Sequence, residues 1–356
     1  MPESANEPMR TPAAETSRFL HRFAWFTAGA TVLLICSGGM VTSKGVGLAV
    51  PDWPTTFGYN MFFFPISKWV GGIFFEHTHR LIASLIGFLT IILAFWLAFS
   101  KVERWIKLLG WVSLGAVVLQ GVLGGLRVTL LKDEIGIFHA CLAQGFLGLL
   151  VVIALATSPW WRQLAASRAT PPTRSLAIFA LVISGLIYGQ LGLGATMRHQ
   201  HRDLAILDLP LAYGQLWPAT DPATIARINR ARDAEALSDV SAAQIWLQMV
   251  HRFVAAAIGL TIATFWLLVR PGHALNPILP RLANLWLGLV ILQIALGAWT
   301  IWSNKAADIA TAHVAVGALT FATGIVVCAV LLRLRHSPDG ARAIRPVSQL
   351  AEAAAT

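Results

Sequence analysis

The sequence predicts an all-α polytopic membrane protein: eight transmembrane helices, arranged as two pseudo-two-fold-related four-helix bundles. Composition, eight long apolar runs and an internal repeat predict it. Hydrophobic residues make up 56% of the 356 residues and charged residues 12%, and mean hydropathy is +0.66. Soluble chains average about 45–50% apolar and about 25% charged, so a disordered chain, a coiled coil and an ordinary soluble enzyme are excluded. The net charge of +10 does not indicate nucleic-acid binding. The Lys and Arg residues are scattered between apolar runs, where they act as topology signals facing anionic lipid.

A span needs about 20 apolar residues. Eight segments qualify, at roughly 22–42, 75–99, 107–129, 136–157, 175–196, 244–268, 282–302 and 309–332. Before them lies a polar tail, 1–21, with Pro2, Pro8 and Pro12 and no small-residue cleavage site after the first apolar run. With the N-terminus placed inside, fifteen Lys and Arg fall in the inside segments, against Lys44, Lys68, Lys132 and Lys305 in the short outside loops. The long outside loop 197–243 adds five arginines, but long loops cross largely regardless of charge. Both termini are therefore expected in the cytoplasm and the protein in the inner (plasma) membrane. Cys36, Cys141 and Cys328 all sit in apolar runs, so no disulfide framework or CxxC motif is present.

The two halves repeat. His79-Arg80-Leu81-Ile82-Ala83 with Ile86-Gly87 matches His251-Arg252-Phe253-Val254-Ala255 with Ile258-Gly259, at an offset of 172. Leu119-Gln120 and Leu123-Gly124 match Leu292-Gln293 and Leu296-Gly297 at 173, and His139 matches His313 at 174. In the outer loops, Asp52-Trp53-Pro54 with Gly58 matches Asp208-Leu209-Pro210 with Gly214. Four spans per half give the halves the same orientation, related by an axis along the membrane normal. The domains are then an N-terminal bundle (22–157), a cytoplasmic linker (158–174), a C-terminal bundle (175–332) carrying the loop 197–243, and a tail (333–356).

His79, His139, His251 and His313 each stand a turn or two into an even-numbered span, at one shallow depth near the outer surface. Ionisable side chains in lipid are costly and mark function. Neutral imidazole ligates iron, and one His from each of two facing helices can hold a heme between them. Gly121, Gly124, Gly125, Gly297 and Ala298 would let a flat macrocycle approach, and Arg80 and Arg252 could pair with its propionates. Hydrogen-bonded structural histidines are the plainer alternative. Glu76, three residues before His79, shares its helix face, whereas the equivalent before His251 is Gln248. A helix-start cap is the plainer account of Glu76. His199 and His201 could bind a metal, although two histidines in a polar loop are more simply solvated.

At these residues the sequence resembles the heme A synthase family of cytochrome c oxidase cofactor biosynthesis. The matching pieces are Gly38-Gly39-Met40-Val41-Thr42 with Gly45, Gly47-Leu48 and Pro51-Asp52-Trp53-Pro54; Glu76-His77-Thr78-His79-Arg80; Gln120-Gly121-Val122-Leu123-Gly124-Gly125 leading to His139; His251-Arg252; and His313. The resemblance implies that the C8 methyl of heme O is oxidised to a formyl group, giving heme A. It implies His79 and His139 as ligands of the substrate heme, His251 and His313 as ligands of a heme b cofactor, and Glu76 as the catalytic carboxylate. As partners it implies the cytochrome c oxidase assembly pathway and handover from a heme O synthase; a homo-oligomer is compatible with it. Residues 42–75 contain no Cys, which places the chain in the branch without a first-loop cysteine pair. A diheme b-type electron-transfer protein would need hemes near opposite faces and leaves Glu76 without a role. A parallel-repeat transporter should show broken mid-membrane helices.

Reporter fusions after Arg104, Arg168 and Arg335 should report cytoplasm, and fusions near Asp52 and Asp221 the outside. An outside C-terminus would break both the span count and the parallel repeat.

Overall fold

The computed structural model describes residues 18–165, 172–199, 204–270 and 278–335. The described chain is helical: α1 (Arg18–Ser43), α2 (Gly71–Phe99), α3 (Arg104–Leu130), α4 (Asp133–Ala156), α5 (Pro159–Ala165), α6 (Arg174–His199), α7 (Pro222–Ala234), α8 (Ala242–Val269), α9 (Ile278–Trp302) and α10 (Ala307–Arg335). Eight of these, all but α5 and α7, are long and apolar enough to cross a membrane, so the protein is a multi-pass membrane protein. The 29 residues of α2 extend about 43 Å at 1.5 Å per residue, more than the hydrocarbon core. Most expected spans are extended by several residues. α2 starts at Gly71 rather than 75, and α6 runs on to His199.

Local chemistry sets the ends. Ser241 accepts from the Gln244 N–H while the Gln244 side chain accepts from the Ser241 N–H, a capping box that opens α8. Asp221 caps α7, with Pro222 at the first helical position. The segment 197–243 is therefore not a plain loop. α7 packs Ile228 against Ile206, Val240 and Ile245 in a small core of its own. The linker 158–174 likewise begins with α5. His201 lies outside the described residues, as do most of both tails.

α1 to α4 pack around one another, as do α6, α8, α9 and α10; α1 and α4 then face α6 and α10. The shared core includes Leu20, Leu97, Leu150, Ile153, Ile183, Phe265 and Trp286. Trp286 buries its ring fully and donates its Nε1–H to the Thr320 carbonyl at 3.0 Å, which satisfies the indole inside the apolar core. Small residues set the helix spacing. A Cβ on Gly324 of α10 would stand 2.7 Å from Ser184 Oγ and 2.9 Å from Trp286 Cζ2, and one on Gly39 of α1 would stand 3.2 Å from Thr311 Cγ2 of α10. The faces of α3 and α9 turned away from the core expose Val118, Leu119, Ile291 and Trp299, as lipid-facing helices do.

Short links join α2 to α3, α3 to α4 and α9 to α10, so α2, α4, α8 and α10 all begin at one end of the molecule. That end carries the segments 44–70 and 204–241 and is called the loop end below. Gly324→Val should overpack the contact with Ser184 and Trp286 and cost about 1–3 kcal/mol. Gly29→Ala, with nothing within 4 Å of its new methyl, should be tolerated. Thermal unfolding of the purified variants in detergent checks the contrast.

Candidate active site

The four histidines near the loop end share one environment. A Cβ on Gly38 of α1 would stand 3.0 Å from His79 Cε1, one on Gly124 of α3 3.3 Å from His139 Cε1, one on Gly194 of α6 3.5 Å from His251 Cε1, and one on Gly297 of α9 3.1 Å from His313 Cε1. Each imidazole thus lays its Cε1 edge on a glycine of a neighbouring helix. His79 and His139 lie within electrostatic range of each other, as do His251 and His313. The Nδ1 atoms of all four are buried without a hydrogen-bond partner. Among the described residues no protein group bonds a ring nitrogen of His79, His139 or His251, and His313 Nε2 meets the Gln293 amide at 3.3 Å. Gln120 and Gln190 instead donate to the backbone carbonyls of His139 and His251, at 3.1 and 2.9 Å.

Around the histidines the loops repeat atom by atom. Asp52 Oδ1 accepts from the Phe57 N–H at 2.7 Å and Oδ2 from the Gly58 N–H at 2.9 Å; Asp208 accepts from Tyr213 and Gly214, both at 2.9 Å. Thr56 pairs with Tyr59 and Ala212 with Gln215 across tight turns. The central residues have positive φ, 49° and 75° in one turn, 52° and 77° in the other, which suits glycine at 58 and 214. Partial burial pushes the Asp52 carboxyl up, but the Gly58 N–H, the Thr55 hydroxyl and the Phe57 N–H outweigh it and hold it below its ordinary value.

Two side chains of α2 and two of α8 clamp these loops. Arg80 donates through Nη1 to the Asp52 and Thr55 carbonyls, at 2.7 and 3.1 Å; Arg252 donates to those of Asp208 and Leu211, at 2.8 and 2.9 Å. Both guanidiniums are thus engaged with loop backbone. Glu76 Oε2 accepts from the Val50 N–H, and Gln248 Oε1 from the Ile206 N–H, each at 2.9 Å. The other Gln248 contact, Nε2 to the Ile206 carbonyl at 3.0 Å, has its counterpart in Arg80 Nη2, which reaches the Val50 carbonyl at 2.9 Å and Glu76 Oε1 at 2.7 Å. Glu76 is 3% exposed and lies in the second turn of α2, whose first turn holds no acid. The helix-cap account of Glu76 is therefore wrong; its structural role is to hold the loop.

Of the glycines expected to admit a macrocycle, Gly124 and Gly297 touch the histidines. Gly125 does not serve that purpose: a Cβ there would stand 2.3 Å from Trp53 Cδ2, so the loop indole fills its space. Three features escaped the sequence reading. Arg127 of α3 lies within electrostatic range of His79, His139 and Glu76. Arg198 of α6 donates to Gly39 O and Ser43 Oγ at 2.7 and 2.6 Å and lies within range of His313. His77 is fully buried between Phe64 and Trp69, with Nδ1 3.2 Å from Thr56 Oγ1. Arg127 was readable as a charge inside an apolar run; the partners of the other two were not. His199 packs against Gly136, at a position that Arg127 also borders. Among the described residues no three His, Cys, Asp or Glu side chains come together to hold a metal ion.

The sequence pattern of the cytochrome oxidase assembly protein family matches residues 21–325. The chain belongs to that family. Heme A synthases of three organisms are similar along most of its length. That of Shouchella clausii is 26% identical over 81% of this chain and 88% of its own; that of Geobacillus kaustophilus, 25% over 90% and 94%; that of Beijerinckia indica, 28% over 82% and 87%. Membership of that family, with heme A synthases among the similar proteins, implies heme-related chemistry.

Asp52 binds its turn as a carboxylate, so its stabilising effect is present above the ordinary carboxylate pKa and is lost as pH falls through its lowered folded-state value. The protection of the Phe57 and Gly58 amides, taken relative to intrinsic exchange at each pH, should hold at neutral and mildly acidic pH and fall below that range, and Asp52→Ala should show little protection at any pH.

Proposed function

We propose that this protein is a heme A synthase, an oxidoreductase that converts the C8 methyl group of heme O to a formyl group. The observation that carries the reading is the asymmetry between Glu76 and Gln248. Both accept a loop N–H at the same distance, so Gln248 demonstrates that this hold on the loop does not require a charge. A carboxylate kept at one of two equivalent places, three residues from a histidine of one pair only, is available for proton transfer.

In this reading the N-terminal half, residues 22–157, receives heme O on His79 and His139. The C-terminal half, 175–332, holds heme b on His251 and His313, and the halves are related by a pseudo-two-fold axis. The imidazoles fit such a group: their Nδ1 atoms have no hydrogen-bond partner among the described residues, they come in pairs, and glycine gives them room. Heme b, when bound, supplies one-electron redox chemistry. The chain's own residues do the rest. Gly38, Gly124, Gly194 and Gly297 leave the imidazoles space to turn toward an iron. Arg80 and Arg252 hold the loops over the two sites, so their part in propionate binding is indirect, and Arg127 and Arg198 are the cations placed to meet carboxylates at the heme edges. Glu76, poised by Arg80, accepts or returns a proton at Oε1 or Oε2 during the conversion, in which the methyl group gains one oxygen, at net from water, and the two together give up four protons and, to an external electron acceptor, four electrons. Residence in the inner membrane with cytoplasmic termini, and receipt of heme O from the heme O synthase, belong to the same reading.

Glu76→Gln places at 76 the residue that position 248 already carries, so the loop contact should persist. The variant should insert and keep its heme b, while heme A formation falls about 100-fold or more and heme O or a hydroxylated intermediate accumulates. Pigment extraction and chromatography read both. Heme A at the wild-type level would reduce Glu76 to its loop contact. His251→Leu serves as the converse control, losing or shifting the heme b spectrum.

A further inference from the structure

The halves also differ at two positions, one on α2 and one on α3, deeper in the membrane than the histidines. On α2, nothing lies within 4 Å of where a Cβ on Gly87 would stand, and on α3 the same holds for Gly121. The offsets that relate His79 to His251 and Gln120 to Gln293 carry Gly87 to Gly259 and Gly121 to Ile294. In the second half the space is taken: Ile294 Cδ1 lies 3.4 Å from where a Cβ on Gly259 would be. One repeat leaves open what the other fills with a branched four-carbon side chain.

The open position adjoins the histidine site. Gly121 stands one turn along α3 from Gly124, which bears the His139 ring, and Gly87 lies about two turns along α2 from His79. It is also apolar and close to lipid, since Leu85 and Phe88 on α2 and Val118 and Val122 on α3 are exposed. A cleft of this kind offers a hydrogen-bonding ligand nothing, but it suits an extended hydrocarbon chain, which loses little on leaving lipid for it. Heme O and heme b differ in such a chain: heme O carries an isoprenoid tail where heme b has a vinyl group.

We propose that the gap between α2 and α3 at Gly87 and Gly121 receives the isoprenoid tail of the substrate heme and leads it from the His79–His139 site toward lipid, and that Ile294 closes the equivalent gap so that the other half selects a heme without a tail. Gly121 and Ile294 are then specificity-determining residues. The inference rests on the assignment of heme O to the N-terminal half made above.

The test is optical titration of the full-length protein in detergent or lipid nanodiscs with heme O and, separately, with tail-less heme b. The heme b already held by the C-terminal half reports folding. Wild type must first bind heme O in a manner abolished by His79→Leu; if it does not, the assignment of the halves fails, and the gap proposal with it, before any gap variant is read. Gly121→Ile should weaken heme O binding at the N-terminal site about tenfold or more while heme b still binds there. Heme O affinity equal to wild type, or equal loss of both hemes, overturns the proposal. Ile294→Gly, which only removes atoms, keeps the test open should Gly121→Ile not accumulate. It should make the C-terminal half co-purify with a mixture of heme O and heme b, and heme b alone, in cells producing both, overturns the proposal.

Discussion

An imidazole inside a helix bundle occupies space that two close-packed helices do not have, and this family member provides it by deleting the side chain opposite. Gly38, Gly124, Gly194 and Gly297 each face a histidine edge at 3.0–3.5 Å. At Gly38, Gly124 and Gly297 even a methyl group would crowd the ring, and at Gly194 anything beyond a methyl would have to find room beside it. The constraint bears on which helices may neighbour one another. Leaving a polar nitrogen unpaired in an apolar interior is costly, so the four buried Nδ1 atoms are a standing cost of the arrangement.

The two halves differ through single substitutions on a shared frame. The frame comprises the Asp52 and Asp208 turns, the arginine clamps and the histidine–glycine contacts, and these agree in partner and nearly in distance. Against it stand Glu76 with Gln248 and Gly121 with Ile294, where charge and volume change while the backbone does not. The sharing of contacts illustrates how this works. Gln248 makes two bonds to Ile206 with one amide, whereas the first half divides the same bonds between Glu76 and Arg80. A carboxylate cannot donate, so adopting one required the neighbouring arginine to supply the donor.

Most of the fold was legible because a span is written as a run of apolar residues whose length the bilayer fixes. The ends were less so: Gly71 to Phe74 belong to α2 through backbone hydrogen bonds that leave little compositional trace. Helix α7 was missed because Ile225 and Ile228 among arginines read as a polar loop until the partners Ile206 and Val240 are in place. The histidines and Glu76 were legible as polar residues in apolar runs. Gly38 and Gly194 were not recognised as a pair, since the first spans of the two halves repeat at an offset of 156 with little else in common. The role of Arg80 and Arg252 was the least legible, because their acceptors are main-chain carbonyls, which any sequence provides.

Arg198 joins the halves at a telling place. Its guanidinium reaches from α6 to the carbonyl of Gly39 and the hydroxyl of Ser43 on α1, and Gly39 follows the glycine on which the His79 ring lies. One long side chain of the second half is thereby fastened to main chain of the first beside the His79 contact, so a change in the spacing of α1 and α6 would be felt at a histidine.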